Sequence, residues 1–252
     1  MTGMLVLMGG VGLAAGVLNF AAAGGSLLPF VVMSVVLGIP PLAANATVLA
    51  ATPFSFLRAA GDVKDTPRVM RLPLACAVGG TAVGVWIVSH VLTEGTFRRA
   101  VPVLLIISVT FLLCFRHVKK WIDARHGRTH LPSHATLPTL AIGITITSMY
   151  AGAFGGGVAV MILGLLTVAT SWPWDRVNTA KNVVCLFTSV VGFFAYVPTG
   201  LVIWPLCIVL AVTMVLGSFL GKWVTKVVPA KTLRLVVAVL TTLSAGYLWA
   251  SS

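Results

Sequence analysis

Again and again this chain runs for about 20 residues with few or no charged side chains, the length a helix needs to cross a hydrocarbon core of roughly 30 Å. Such stretches lie near 4–22, 42–60, 72–92, 99–115, 137–154, 176–196, 203–222 and 231–249. A bilayer offers no water to the backbone, so a spanning segment of this kind must bond its own N–H and C=O groups as a helix. The expectation is an all-α polytopic membrane protein. Composition agrees, with 58% hydrophobic and 9% charged residues, unlike a water-soluble domain. The five acids, Asp62, Asp65, Glu94, Asp123 and Asp175, fall in short polar connections, as do most of the 17 Lys and Arg residues. The net charge of +12 therefore describes loops, and no basic face for nucleic acid is expected. Residues 1–10 carry no Lys or Arg ahead of their apolar run, which argues for a retained membrane segment over a cleaved signal. Cys76, Cys114, Cys185 and Cys207 stand singly in apolar stretches, as small core residues do, with no metal-binding or disulfide spacing.

Two further apolar runs, near 26–39 and 157–171, are too short to span. Each extends about 14 residues, or about 20 Å as a helix. Each is bounded by a glycine cluster (Gly24-Gly25; Gly155-Gly156-Gly157) and a proline (Pro40-Pro41; Pro173). They read as half-helices that turn back inside the protein, which a membrane tolerates only where the freed backbone is buried or lines a cavity.

Short loops rich in Lys and Arg stay in the cytoplasm, and 58–71, 116–128 and 222–234 qualify. Placing all three inside requires segments 1–2 and segments 6–7 each to make no net crossing, and it puts both termini outside a cell (inner) membrane. Arg98 and Arg99 then lie outside beside Glu94, against the trend. The same orientation makes the chain two inverted five-segment repeats, 1–115 and 137–252, joined by a basic cytoplasmic linker at 116–136. Sequence supports the pairing: Gly24-Gly25-Ser26 aligns with Gly156-Gly157-Val158, Asn45-Ala46-Thr47 with Thr179-Ala180-Lys181, and Ser55 with Ser189. Inverted repeats with interrupted helices are the plan of many secondary transporters, whose substrates sit near the midplane between repeats.

Each half thus has a Gly-rich break, a turn ending in Pro and a polar helix start, and a late Trp-Pro precedes a Gly-rich penultimate helix. Tyr150-Ala-Gly-Ala-Phe-Gly-Gly-Gly157, Thr179-Ala-Lys-Asn182 and Trp204-Pro205 carry the pattern most fully. In this order and spacing the chain resembles the sulfite exporter TauE/SafE family from about Gly16 to Trp249. The first half departs from the family pattern in its shorter glycine run and in Asn45-Ala46-Thr47, where Gly-Thr-Ser is common. The resemblance implies export of sulfite or of a small organosulfonate such as sulfoacetate.

Lys181 is the strongest single pointer to a site. It falls in the first turns of segment 8, where a cation at full depth costs roughly 2.5–3.5 kcal/mol, and the sequence places no acid on its helical face. A bound anion would resolve this. Asn178, Lys181, Cys185 and Ser189 follow helical spacing with Asn182 beside them, and the equivalent start in the first half supplies Asn45, Thr47, Thr52 and Ser55. Uncharged donors suit an oxyanion stripped of water. Gly24, Gly25, Gly156 and Gly157 let backbone N–H groups approach it at the positive ends of half-helices. The expected site is therefore Lys181, Asn45, Thr47, Asn178, Asn182, Ser189, Ser55 and these glycines, with no catalytic group, metal or cofactor. The bland alternatives are a Lys181 that snorkels to the interface beside Arg176, and Asn or Thr side chains that only tie helices together. The Gly12-xxx-Gly16, Gly80-xxx-Gly84 and Gly217-xxx-Gly221 spacings suit close helix packing rather than ligand.

The partners expected are a small anion and the lipid bilayer, with room for a homodimer. Alternatives are a structural or assembly subunit without transport activity and a permease for a different small anion. An intramembrane enzyme is disfavoured by the absence of HExxH and GxSxG and by a single histidine, His90, inside a span. A cation permease is disfavoured by the lack of acids in the spans. His126, His130 and His134 read as a solvated linker rather than a metal clip.

Overall fold

The computed structural model describes residues 2–21, 24–126, 133–170, 172–227, 238–239, 241–246 and 249, and every regular element among them is helical. In chain order they are α1 (Thr2–Ala21), α2 (Leu27–Val31, continued by a π turn over Val32–Val36), α3 (Pro41–Ser55), α4 (Ala59–Asp62), α5 (Arg71–His90), α6 (Glu94–His126), α7 (Ser133–Ala153), α8 (Val158–Ala169), α9 (Trp174–Tyr196) and α10 (Trp204–Val227). Among the described residues, Thr2–Phe20, Arg68–His90, Asp175–Thr199 and Trp204–Gly221 are long and apolar enough to cross a bilayer.

The two short apolar helices are present, as Leu27–Val36 and Val158–Ala169. The second rises only about 18 Å at 1.5 Å per residue. Both follow a glycine in the left-handed region, Gly24 (φ 93) and Gly157 (φ 80), a conformation that a Cβ disfavours. Gly157 directly caps α8, whereas Gly24 stands three residues ahead of α2. Phe30 of α2 and Phe154 meet edge-on, with ring centroids 4.8 Å apart, and join the two breaks in the core.

Two seams hold the bundle together. Helix α1 lies along α10 and α5 along α7, both in parallel, because contacts climb together: Gly12 meets Thr213 and Gly16 meets Met214, as Gly80 meets Thr145 and Gly84 meets Met149. A Cβ at Gly16 would strike the Met214 carbonyl, one at Gly217 the Leu13 carbonyl, one at Gly84 the Met149 carbonyl and one at Gly152 the Thr81 carbonyl. The expected small-residue faces are thus close contacts, backbone to backbone at Gly16, Gly80, Gly84 and Gly217 and against the Thr213 and Phe20 side chains at Gly12 and Gly221. With hydrocarbon on all sides there is no hydrophobic drive to pair helices, and close van der Waals approach supplies the attraction.

Arg58, just after α3, lies over the rings of Phe20 (5.3 Å) and Phe219 (5.2 Å), so α1, α3 and α10 end at one face. At the opposite face Leu42 N donates to Glu94 Oε1 (3.3 Å) and Ile203 N to Thr47 Oγ1 (3.0 Å), bringing together the starts of α3, α6 and α10. Helix α3 is shorter than the apolar run 42–60 suggested. Pro53 sits in its last turn, and the chain leaves the helix at Phe56 before the short α4. Helix α6 is longer than expected and carries the basic stretch through His126, because 116–126 holds neither Gly nor Pro to stop it. His130 and most of the expected last segment, 231–249, lie outside the described residues. Cys76, Cys185 and Cys207 are free thiols.

The seams give a differential prediction. Gly152→Val should lower stability in detergent by about 1–3 kcal/mol through overpacking. Gly79→Ala, on α5 where a Cβ meets nothing within 4 Å, should be neutral or gain up to about 1 kcal/mol. Thermal unfolding of the two variants checks it.

Candidate functional site

The second break, Phe154 to Gly157, strands backbone groups deep in the molecule, and side chains from distant helices take them up. Asn45 of α3 donates from Nδ2 to Ala153 O (3.1 Å) and Tyr196 Oη (3.4 Å), and its Oδ1 accepts Gly155 N–H (3.3 Å). Tyr196 at the end of α9 donates to Gly152 O (3.0 Å), and Ser26 to Gly155 O (2.9 Å). Ser108 of α6 donates to Gly156 O (2.9 Å) and shares a 2.6 Å hydrogen bond with Tyr150. A buried amide without a partner is costly, so this network is what permits an interrupted helix here.

Beside the break sits Lys181. It is 1% exposed, and its Nζ donates to the backbone carbonyl of Asn19 on α1 (3.3 Å). The ammonium is therefore inside the protein. Asn19 is equally buried, and its Nδ2 donates to Ser55 Oγ (2.8 Å). A Cβ at Gly25 would press on the Ala15 carbonyl and on Asn19 Oδ1, so the first glycine break also closes on this group.

Two cavities meet at Asn19 and Phe56, which line both. The inner one, about 20 Å³, lies among Ser26, Thr52, Gly155, Cys185, Thr188 and Ser189 and has room for about one water. The outer one, about 120 Å³, is walled by Phe20, Ser55, Arg58, Asp62, Asn182 and Ser218, at the face where α1, α3 and α10 end.

Of the residues expected at a site, Lys181, Ser55, Asn182 and Ser189 come together around Asn19 and these cavities. Asn45, Gly156 and Gly157 form the adjoining break, while Gly24 meets Val160 of α8 and Gly25 meets Ala15 and Asn19 of α1. Thr47 lies away from them: its hydroxyl returns to Ala43 O (2.7 Å) and accepts Ile203 N–H near the opposite face. Asn178 is half-buried and lines neither cavity. Sequence reading passed over Asn19, although it is the lone amide of an apolar helix and stands just before a glycine break. No group of three His, Cys, Asp or Glu side chains arranged to hold a metal occurs among the described residues.

The family model for the sulfite exporter TauE/SafE matches residues 8–248. The chain belongs to this family. No curated protein and no solved structure matches it. This TauE/SafE member is thus a multi-pass membrane transporter of the sulfite and sulfur-anion class and not an enzyme. The neighbourhood of Lys181 and Asn19 holds buried polar groups and two small cavities.

The Asn45 clamp can be tested apart from transport. Asn45→Leu should lower the unfolding midpoint in detergent, at about 1–2 kcal/mol for each orphaned group. Ser189→Ala should change it little, since the Ser189 hydroxyl bonds only to Cys185 O and Leu186 O of its own helix.

Proposed function

We propose that the chain exports a small sulfur-containing anion, sulfite or a short organosulfonate such as sulfoacetate, from a central site at Lys181. The burial of that ammonium beside two cavities and a broken helix carries the reading. In low-dielectric surroundings an ammonium is a strong donor to an oxyanion, and an ionisable group at membrane depth marks a substrate path by default. Asn19, Ser55, Asn182 and Ser189 complete the site, and the break held by Asn45, Gly156 and Gly157 forms its roof. Thr47 ties α3 to the start of α10, which frames it.

The transport cycle is alternating access between two inverted five-segment halves. Three observations support it. The first helix of each half runs in parallel along the fourth of the other, α1 on α10 and α7 on α5. A short apolar helix follows the first helix in both halves. The inner cavity holds about one water, so cargo enters only when the halves shift. Under the positive-inside rule, Arg58 and the basic ends of α6 and α10 face the cytoplasm, so the outer cavity opens there and both termini lie outside. An exported anion then leaves down the inside-negative potential.

Proteoliposomes containing the purified chain alone should release labelled sulfite. Lys181→Ala should slow release by roughly 10- to 100-fold, the loss of one charge-assisted hydrogen bond, while unfolding remains cooperative. Efflux indifferent to that change would remove Lys181 from the site, and no efflux from the native chain would favour an assembly subunit.

A further inference from the structure

The outer cavity carries a cation and free hydrogen-bond donors on its wall. Arg58 lines it and is exposed, with its guanidinium over the rings of Phe20 (5.3 Å) and Phe219 (5.2 Å). Such rings hold a guanidinium in place by attraction to its charge. Among the described residues Arg58 forms no ion pair and its side chain donates no hydrogen bond, so its five N–H groups remain for a ligand. Asn182 shares the wall. Its Oδ1 is buried, while its Nδ2, also without a hydrogen-bond partner, reaches accessible space, so the donor end of this amide is the open one. Ser55 accepts from Asn19 Nδ2 (2.8 Å) and gives its own hydroxyl hydrogen to no described acceptor. Asp62, one turn beyond Arg58, is the opposing charge on this wall and is not paired with it.

Size separates this cavity from the inner one. A cavity of about 150 Å³ admits benzene, with its six heavy atoms, so about 120 Å³ is ample for sulfite, which has four. The inner cavity, at about 20 Å³, is not, and Lys181 is 1% exposed. An anion therefore reaches Arg58 without any rearrangement and Lys181 only after one. A guanidinium grips the oxygens of a sulfite or sulfonate group through two parallel N–H bonds, and the Asn182 amide adds a donor from a second helix. We propose that the outer cavity is a capture site for a small oxyanion, separate from the central one, with the anion on Arg58 and Asn182 Nδ2 and with Ser55 as a further donor. The proposal rests on the transport reading above and adds to it a first binding step. Asp62 weakens the hold by like-charge repulsion, which suits a site that must release what it binds. Asn182, next to Lys181 in the chain, connects the capture site to the central one.

Calorimetric titration of the purified full chain with sulfite and with methanesulfonate, at low ionic strength, reads this site. Arg58→Gln should weaken binding roughly tenfold or more, the loss of a charge-assisted contact. Asp62→Asn should tighten it by roughly two- to fivefold, the removal of one like charge from an open wall. Tighter binding cannot come from a damaged fold, so this second variant keeps the test decisive if Arg58→Gln does not fold. Lys181→Ala should weaken binding less than Arg58→Gln does, because the capture site does not include that ammonium. Binding of neither anion, affinity indifferent to Arg58→Gln, no tightening with Asp62→Asn, or a larger loss with Lys181→Ala than with Arg58→Gln would each overturn the capture site. Arg58-dependent binding without efflux from proteoliposomes would leave the site standing and sink the transport reading instead.

Discussion

The bonding of backbone groups at the Phe154–Gly157 break is the constraint on which the rest of the interior depends. A helix interrupted inside a membrane leaves amides that water would satisfy in a soluble protein. Here Asn45, Ser26, Ser108 and Tyr196, from four separate parts of the chain, provide the bonds. These side chains hold α3, α6, α8 and α9 in one register, and that register brings Lys181 of α9 against Asn19 of α1.

The glycine seams complement this polar centre. The pairs α1–α10 and α5–α7 meet in close contact, and each joins a helix of the first half to one of the second. Around the break the contacts are hydrogen bonds and small cavities, which can be exchanged at lower cost than close packing. Asn19 and Phe56 stand at the divide between the inner and outer cavities.

Asn19 joins three parts of the site. Its backbone carbonyl takes the ammonium, its Nδ2 takes Ser55, and its Oδ1 packs beside Gly25. One residue thereby ties α1 to both α3 and α9. In the sequence it is a single polar residue in an apolar helix, a signal weaker than the Asn45 and Lys181 clusters and readily taken for a helix-packing amide.

Membrane residence, the short helices Leu27–Val36 and Val158–Ala169 and the glycine breaks were legible in the sequence, because hydropathy and φ preference act locally along the chain. Lys181 stood out for the same reason, as a charge in an apolar run. Helix ends were less legible: α6 passes through its basic stretch because nothing in 116–126 breaks it, and α3 stops at Ser55 before its apolar run ends. Which polar groups are satisfied, and which are buried without a partner, was decided only by the tertiary structure. Asn45 is bonded to Gly155, Thr47 to Ile203 and Asn19 to Ser55, while Asn19 Oδ1 and Asn182 Oδ1 have no partner. Hydrogen bonding is pairwise between residues far apart in the chain, so no local pattern reveals where an unpaired acceptor will fall.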